Sequence, residues 1–281
     1  MSVRLSSLFR LAKPRVVALL DLAALGGYFA AGFKGLLPLA LVLVGGSLAS
    51  VGAMIVNEAY EANRDIKMGR TSWRPTAKHE ISIKAVYAVG SSLVAIGTGI
   101  AYLVNLLTAL FVAFGALFYI FVYTVVLKPR HWSNIVIGGL AGSAAAWAGY
   151  TASSGTLDLP GLLLGLLIFM WTPGHFWSLA LRYSQDYERA GYPMLPVIYG
   201  EKVTARAIAV SNALMIPFAL ALGVWFGPLY LTLSVVASAV LVYFTLRLYR
   251  NPTREEAWIS FKVSSPYLAI LMLGIILSRA L

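Results

Sequence analysis

Long apolar runs dominate the chain, and the polar positions between them come in two kinds of gap. Nine runs can be marked, over residues 16–33, 36–56, 84–104, 106–127, 134–153, 159–181, 204–226, 229–246 and 263–280. Each has the length of about 17–25 residues that a helix needs to cross a hydrocarbon core. In lipid only helices and closed barrels satisfy their own backbone, and these runs are far too long for barrel strands. The pattern predicts an all-α, polytopic membrane protein with nine transmembrane helices.

The gaps give the orientation. Those around Lys34, Asn105 and Gly227-Pro228 are very short, and others are long and polar. With nine spans the two kinds alternate across the bilayer. All but two of the 22 Lys and Arg residues fall on one side, which holds the N-terminal segment and the loops near 57–84, 128–133, 182–203 and 247–262. The exceptions are Lys34 and Arg279. Basic loops stay cytoplasmic, so the N-terminus and the long loops are expected in the cytoplasm and the C-terminus outside the cell membrane. The opening stretch MSVRLSSLFRLAKPR is basic with no small-residue cleavage site, and no cleavable signal peptide is expected.

Composition agrees. Of 281 residues, 59% are hydrophobic and 12% charged, about half the charge of a soluble domain. Mean hydropathy is +0.79. A water-soluble globule and a disordered chain are both excluded. Cysteine is absent, which removes disulfides, thiolate metal sites and Cys nucleophiles. The net charge of +11 is spread over five membrane-flanking segments, so it reflects orientation and attraction to anionic lipid rather than nucleic acid. No second domain is visible, and residues 1–281 are expected to form a single transmembrane domain.

With only 11 acidic residues, their placement is informative. Four lie in or beside the loop after the second run: Glu58, Glu61, Asp65 and Glu80. Three more follow the sixth run: Asp186, Glu188 and Glu201. Asn57, Glu61 and Asp65 are spaced i, i+4, i+8, one face of a helix that continues past the membrane. Oxygen donors in such a row suit a hard cation such as Mg²⁺, which keeps waters and shares substrate phosphate oxygens. Arg64, Lys67, Arg70, Arg74 and Lys78 follow directly, and carboxylates, metal and Arg together would bind a diphosphate. Taken alone, the ExxxD spacing more often marks a solvated helix end laced with ion pairs. The second loop supplies Asp186 and Glu188, with Arg182, Arg189 and Lys202 as phosphate donors. Gly191, Pro193 and Pro196 predict a turn there.

Inside the sixth run, Pro173 and Gly174 predict a kink, followed by His175, Phe176 and Trp177. His175 is either an iron ligand or a hydrogen-bonded packing residue. Asp21 is the one carboxylate within the first run, with pairing to a polar neighbour the plain reading. The small residues of GGLAGSAAAWAG in the fifth run predict close helix packing. His79 and His131 are expected in solvent.

The set N57xxxE61xxxD65xxM68xR70TxxR74P75 resembles the first acidic motif of the UbiA-type intramembrane prenyltransferases. Its RT-xx-RP extension is similar to one branch, the protohaem IX farnesyltransferases or haem O synthases. W171TPxHFW177, D186YxxAGxPMLPV197, G200EK202, K13PRVV17, and Y123TxxLK128 with N134IVIGG139 look like that branch too. The resemblance runs from about residue 12 to 210. Two positions depart from the pattern: Glu61 stands where Asp is usual, and Ala190 where the wider superfamily has a second Asp.

The resemblance implies helices around a central cavity open toward lipid, capped by the two cytoplasmic loops. It implies farnesyl transfer from farnesyl diphosphate, or a longer prenyl diphosphate, to a vinyl group of haem B, with hydration to haem O. Mg²⁺ is the implied cofactor, held by Asn57, Glu61, Asp65 and Asp186. Arg70, Arg74 and Lys202, helped by Arg64 and Lys67, would neutralise the leaving diphosphate. His175, Trp177 and Tyr187, with Tyr60 and Phe176, would face the haem and the prenyl cation. Haem-handling partner proteins fit this picture. The rivals are prenyl transfer to a quinone precursor or lipid headgroup, a secondary transporter, and a structural membrane subunit. A transporter predicts charges at the bilayer midplane, whereas here they gather at one interface.

Overall fold

The computed structural model describes residues 11–280; Arg4 and Arg10 of the basic set lie outside them. Ten helices follow one another: α1 Pro14–Ala30, α2 Leu36–Asp65, α3 Ile83–Tyr102, α4 Leu106–Leu117, α5 Asn134–Ser154, α6 Leu159–Arg182, α7 Ser184–Arg189, α8 Leu195–Ala221, α9 Gly223–Arg250 and α10 Arg254–Ala280. A π-helical segment, Phe118–Leu127, prolongs α4. No strand is present among the described residues, and the fold is all-α.

Among the described residues, eight helices are long and apolar enough to cross a membrane, α4 being counted with its π extension. The first predicted run is met by α1, which has only 17 residues. Pro14 starts it, and Gly32, at φ 92°, lies just past its end. Of the nine expected spans, eight are met by helices of sufficient length, and the first falls on this shorter helix.

Several helices outrun their apolar cores. α2 continues to Asp65, carrying the acidic face out of the apolar zone without a break. α10 begins at Arg254, with Glu255 and Glu256 in its first turn where the helix dipole favours them. Gly191 at φ 68° makes the predicted turn, though a short helix, α7, precedes it. Gly227 at φ 79° breaks the chain before Pro228, as the short gap required.

Small residues set the closest approaches. A Cβ on Gly45 of α2 would lie 2.7 Å from the Gly97 carbonyl oxygen of α3, so these backbones touch. Gly149 of α5 meets the Ala24 backbone of α1, as the small-residue run predicts. α6 passes through Pro173 because Ser211 of α8 inserts its hydroxyl into the ladder. Gly174 N–H donates to it at 3.1 Å, and it donates to the Met170 carbonyl at 2.8 Å.

A cavity of about 650 Å³ lies between α2, α3 and α4 with its π extension. Its walls are mainly apolar, with Val56, Val94, Ala113, Ile120 and Phe121 among them, and Tyr60 and Thr124 at the long-loop end.

Candidate active site

The site grows from the last turns of α2. Because that helix is unbroken, Asn57, Glu61 and Asp65 share one face. All three are buried, and so is Glu58 one position round. A buried carboxylate needs a counter-ion, and each acid has one. Arg74 serves two: its Nε lies 3.3 Å from Glu58 Oε1 and its Nη1 2.7 Å from Asp65 Oδ2. Lys13, just before α1, lies 3.1 Å from Glu58 Oε1 and donates to Asn57 Oδ1 at 3.4 Å. Lys128, at the end of the π segment, is paired with Glu61 and lies 4.9 Å from the centre of the Tyr192 ring.

These pairings set the charges. Burial pushes the Lys13 ammonium down to about 8, against the pull of Glu58. Burial works against Lys128 as well, but Glu61 outweighs it and holds this lysine well above its ordinary value. Arg74 is likewise opposed by burial and raised on balance by Glu58 and Asp65.

The second loop docks on the first. The backbone N–H of Arg70 donates to Asp186 Oδ2 at 3.1 Å, across 116 positions of sequence. Arg70 Nη2 reaches the Tyr187 hydroxyl at 3.4 Å, and its guanidinium lies 5.6 Å from the Tyr183 ring centre. Arg64 stands over Tyr192 at 4.8 Å. The other Asp186 oxygen pairs with Arg189. Gly69 stands beside it: a Cβ there would lie 3.7 Å from both carboxylate oxygens. Beneath, Trp177 and Tyr187 share an apolar cluster with Met68, Tyr192 and Met194.

Other predicted residues lie apart. Lys67 and Lys202 are exposed, with no ion pair among the described residues. His175 does not join Trp177, since two positions on a helix are about 200° apart. It packs against α10, 6% exposed, between Trp171 and Phe261 with ring centres 4.2 and 4.3 Å away. Its Nδ1 meets Ser264 Oγ at 2.6 Å. The kink therefore turns His175 toward α10, not toward the cavity between α2, α3 and α4. Asp21 accepts from Ser47 Oγ at 2.8 Å, the plain pairing expected of it. His79 and His131 are exposed, as anticipated.

Lys13, Glu58, Thr124, Lys128 and Tyr192 belong to the site and were not picked out. Lys13, Thr124 and Lys128 stand inside the quoted KPRVV and YTxxLK segments, so their signal was present. Glu58 lies off the i, i+4 face, and Tyr192 had no signal beyond its loop.

The donor set fits a cation and an anion together. Glu58 Oε2, Arg70 Nε and the Tyr192 hydroxyl are buried with no hydrogen-bond partner among the described residues: an acceptor, a donor and a hydroxyl able to act as either. Among the described residues no three His, Cys, Asp or Glu side chains form a closed metal cage.

The UbiA prenyltransferase family matches residues 21–271. A protoheme IX farnesyltransferase of Sulfurisphaera tokodaii is 54% identical over 99% of this chain and 95% of its own length. One from Metallosphaera sedula is 56% identical over 99% and 98%. Among solved structures, a digeranylgeranylglyceryl phosphate synthase superposes with TM-score 0.80 at 17% identity, over 98% of both chains. A UbiA homologue from Archaeoglobus fulgidus, bound to GPP and Mg²⁺, does so with TM-score 0.71 at 16% identity, over 96% of this chain and 99% of that one. With the family matched over most of its length and relatives above half identical, this chain belongs to the UbiA prenyltransferase family.

Proposed function

We propose that this multi-pass membrane protein transfers a farnesyl group from farnesyl diphosphate to a vinyl carbon of haem B, with water completing the product haem O. One observation carries the reading: Arg70 N–H meets Asp186, closing the two charged loops over buried acids and bases at the end of an apolar cavity. The cavity, at about 650 Å³, is within the usual range of about 300–1,000 Å³ for ligand pockets. Its lining suits an isoprenoid chain, which is soluble only in lipid or an apolar space. The names of the relatives at 54% and 56% identity support the haem acceptor.

In this reading Asn57, Glu61, Asp65 and Asp186 hold Mg²⁺, which would neutralise the diphosphate as it leaves. Arg70 and Arg74 stabilise the same departing charge, and Lys128 joins them. Lys202 is exposed and would reach the diphosphate only from the rim. Departure leaves an allylic cation, which Tyr60 and Tyr187 shield through their ring faces. The vinyl carbon attacks the cation, water adds to the carbon left positive, and a proton is released. No protein nucleophile is required, in keeping with the absence of Cys.

A haem held through His175 would lie on the α10 side of α6, where that ring packs between Trp171 and Phe261. Ser264 Oγ gives its proton to the Phe261 carbonyl at 2.9 Å, so the 2.6 Å contact uses Nδ1–H of His175 as donor. Nε2 then carries the lone pair, the arrangement found in metal-ligating histidines. The long loops face the cytoplasm, supported by the skewed placement of basic residues. Haem-handling proteins would deliver the acceptor. The test is incubation of purified protein with haem B, farnesyl diphosphate and Mg²⁺, followed by mass analysis of the haem. Haem gaining one farnesyl group and one water supports the proposal; unmodified haem with an active control enzyme rejects it.

A further inference from the structure

The Asn57 amide is held from both sides, and both holders lie outside the acidic loops. Its Nδ2 donates to Thr124 Oγ1 at 3.1 Å. The Thr124 hydroxyl in turn donates to the Tyr119 carbonyl at 2.9 Å, five residues back along the π segment. With its proton committed there, Thr124 presents a lone pair, and only the NH₂ side of the amide can satisfy it. On the opposite side, Lys13 Nζ donates to Asn57 Oδ1 at 3.4 Å. Reversing the amide would set oxygen against a hydroxyl oxygen, and NH₂ against an ammonium. Asn57 and Thr124 are each only 1% exposed, so water cannot repair the mismatch between them.

We propose that Thr124 is a positioning residue: it fixes the Asn57 side chain so that Oδ1, the only atom of the amide able to bind a cation, faces the charged side of the site. The inference rests on the proposed function, in which Asn57 helps hold Mg²⁺ on the diphosphate. Here Lys13 occupies that oxygen as a cation of the protein itself. The π segment is what makes the arrangement reachable. Its wider turn brings Thr124 under the Tyr119 carbonyl and, on the same stretch, ends at Lys128 beside Glu61. Thr124 also lines the cavity, so one residue stands where the apolar chain space meets the polar head site.

The test measures metal directly. Full-length protein in detergent is titrated with Mn²⁺ in the presence of farnesyl thiolodiphosphate, which does not ionise, and bound Mn²⁺ is followed by electron paramagnetic resonance. Thr124→Val keeps the shape and removes the hydroxyl. Its Mn²⁺ affinity is expected to fall by about 10-fold or more, the lower end for loss of a residue that orients a ligand. Thr124→Ser restores the hydroxyl and is expected to bind as wild type. In an Asn57→Ala background, Thr124→Val is expected to add nothing, because its effect passes through Asn57. Wild-type affinity in Thr124→Val, or an equal further loss in the Asn57→Ala background, overturns the proposal. If Thr124→Val does not fold, Thr124→Ala is read the same way. Should Asn57→Ala itself bind Mn²⁺ normally, the metal role of Asn57 fails first, which separates that failure from failure of Thr124 as its positioner.

Discussion

Arg74 is the residue on which the buried charges most depend. Its guanidinium serves Glu58 at 3.3 Å and Asp65 at 2.7 Å, with 9% of its own side chain and 1% of each acid exposed. Arg74→Met keeps the stem, leaves Asp65 buried with no counter-ion and leaves Glu58 with Lys13 alone. Breaking a buried pair costs about 3–5 kcal/mol, because the charge left behind remains out of water. For a chain of this length the melting temperature moves by about 2 °C per kcal/mol, so a fall of about 6–10 °C is expected. Arg182 provides the comparison. It pairs with Glu255 at 3.2 Å, but the two side chains are 36% and 76% exposed. Arg182→Met should cost less than about 1 kcal/mol, since solvent already screens such a pair. Thermal unfolding in detergent of both variants tests the contrast. Adding Glu58→Gln and Asp65→Asn to Arg74→Met should recover much of the loss, as the stranded charges go with it. Equal shifts for Arg74→Met and Arg182→Met, or no recovery in the triple variant, would refute the reasoning.

Asp65→Asn or Asp186→Asn should lower turnover by at least about 100-fold, the scale of losing one electrostatic stabiliser; full activity of folded Asp65→Asn protein in EDTA would contradict the metal role. A Cys placed at Ser72 should resist impermeant reagents added outside intact cells and react once the membrane is opened, and labelling from outside would reverse the topology. Ala113→Trp, which fills the cavity wall, should weaken binding of farnesyl diphosphate more than of the shorter dimethylallyl diphosphate; equal effects would move the chain pocket elsewhere. His175→Ala should shift the Soret band and weaken haem binding in a titration, and an unchanged spectrum in folded protein would leave His175 as packing between α6 and α10.

What could be read from the chain was whatever lies within one helix or one loop. Asn57, Glu61 and Asp65 were visible as a face because a 3.6-residue turn stacks positions four apart, and α2 has only to stay helical to make that true. The apolar runs located eight of the spans for the same local reason, and the first run falls on α1, which at 17 residues between Pro14 and Gly32 is shorter than those eight. The counter-ions were not legible. Lys128 lies 67 positions from Glu61 and Lys13 lies 44 from Asn57, so nothing in local periodicity says which base will meet which acid. The same limit applies to Lys202, whose exposure at the start of α8, just past the Gly200 break, no local pattern shows.

The pairing of every site acid with a base of the protein has a chemical consequence. A row of bare carboxylates would bind metal tightly and repel the diphosphate. Here the charge is already balanced, so Mg²⁺ alone must displace Lys13, Arg74 or Lys128 from an oxygen, at an electrostatic cost. Mg²⁺ arriving with a diphosphate does not meet that cost. The bases it releases find phosphate oxygens within reach, and the acids keep a cation. The arrangement therefore favours metal and prenyl diphosphate binding together over either alone. The coupling must also be reciprocal: whatever factor the diphosphate adds to metal affinity, metal adds to diphosphate affinity.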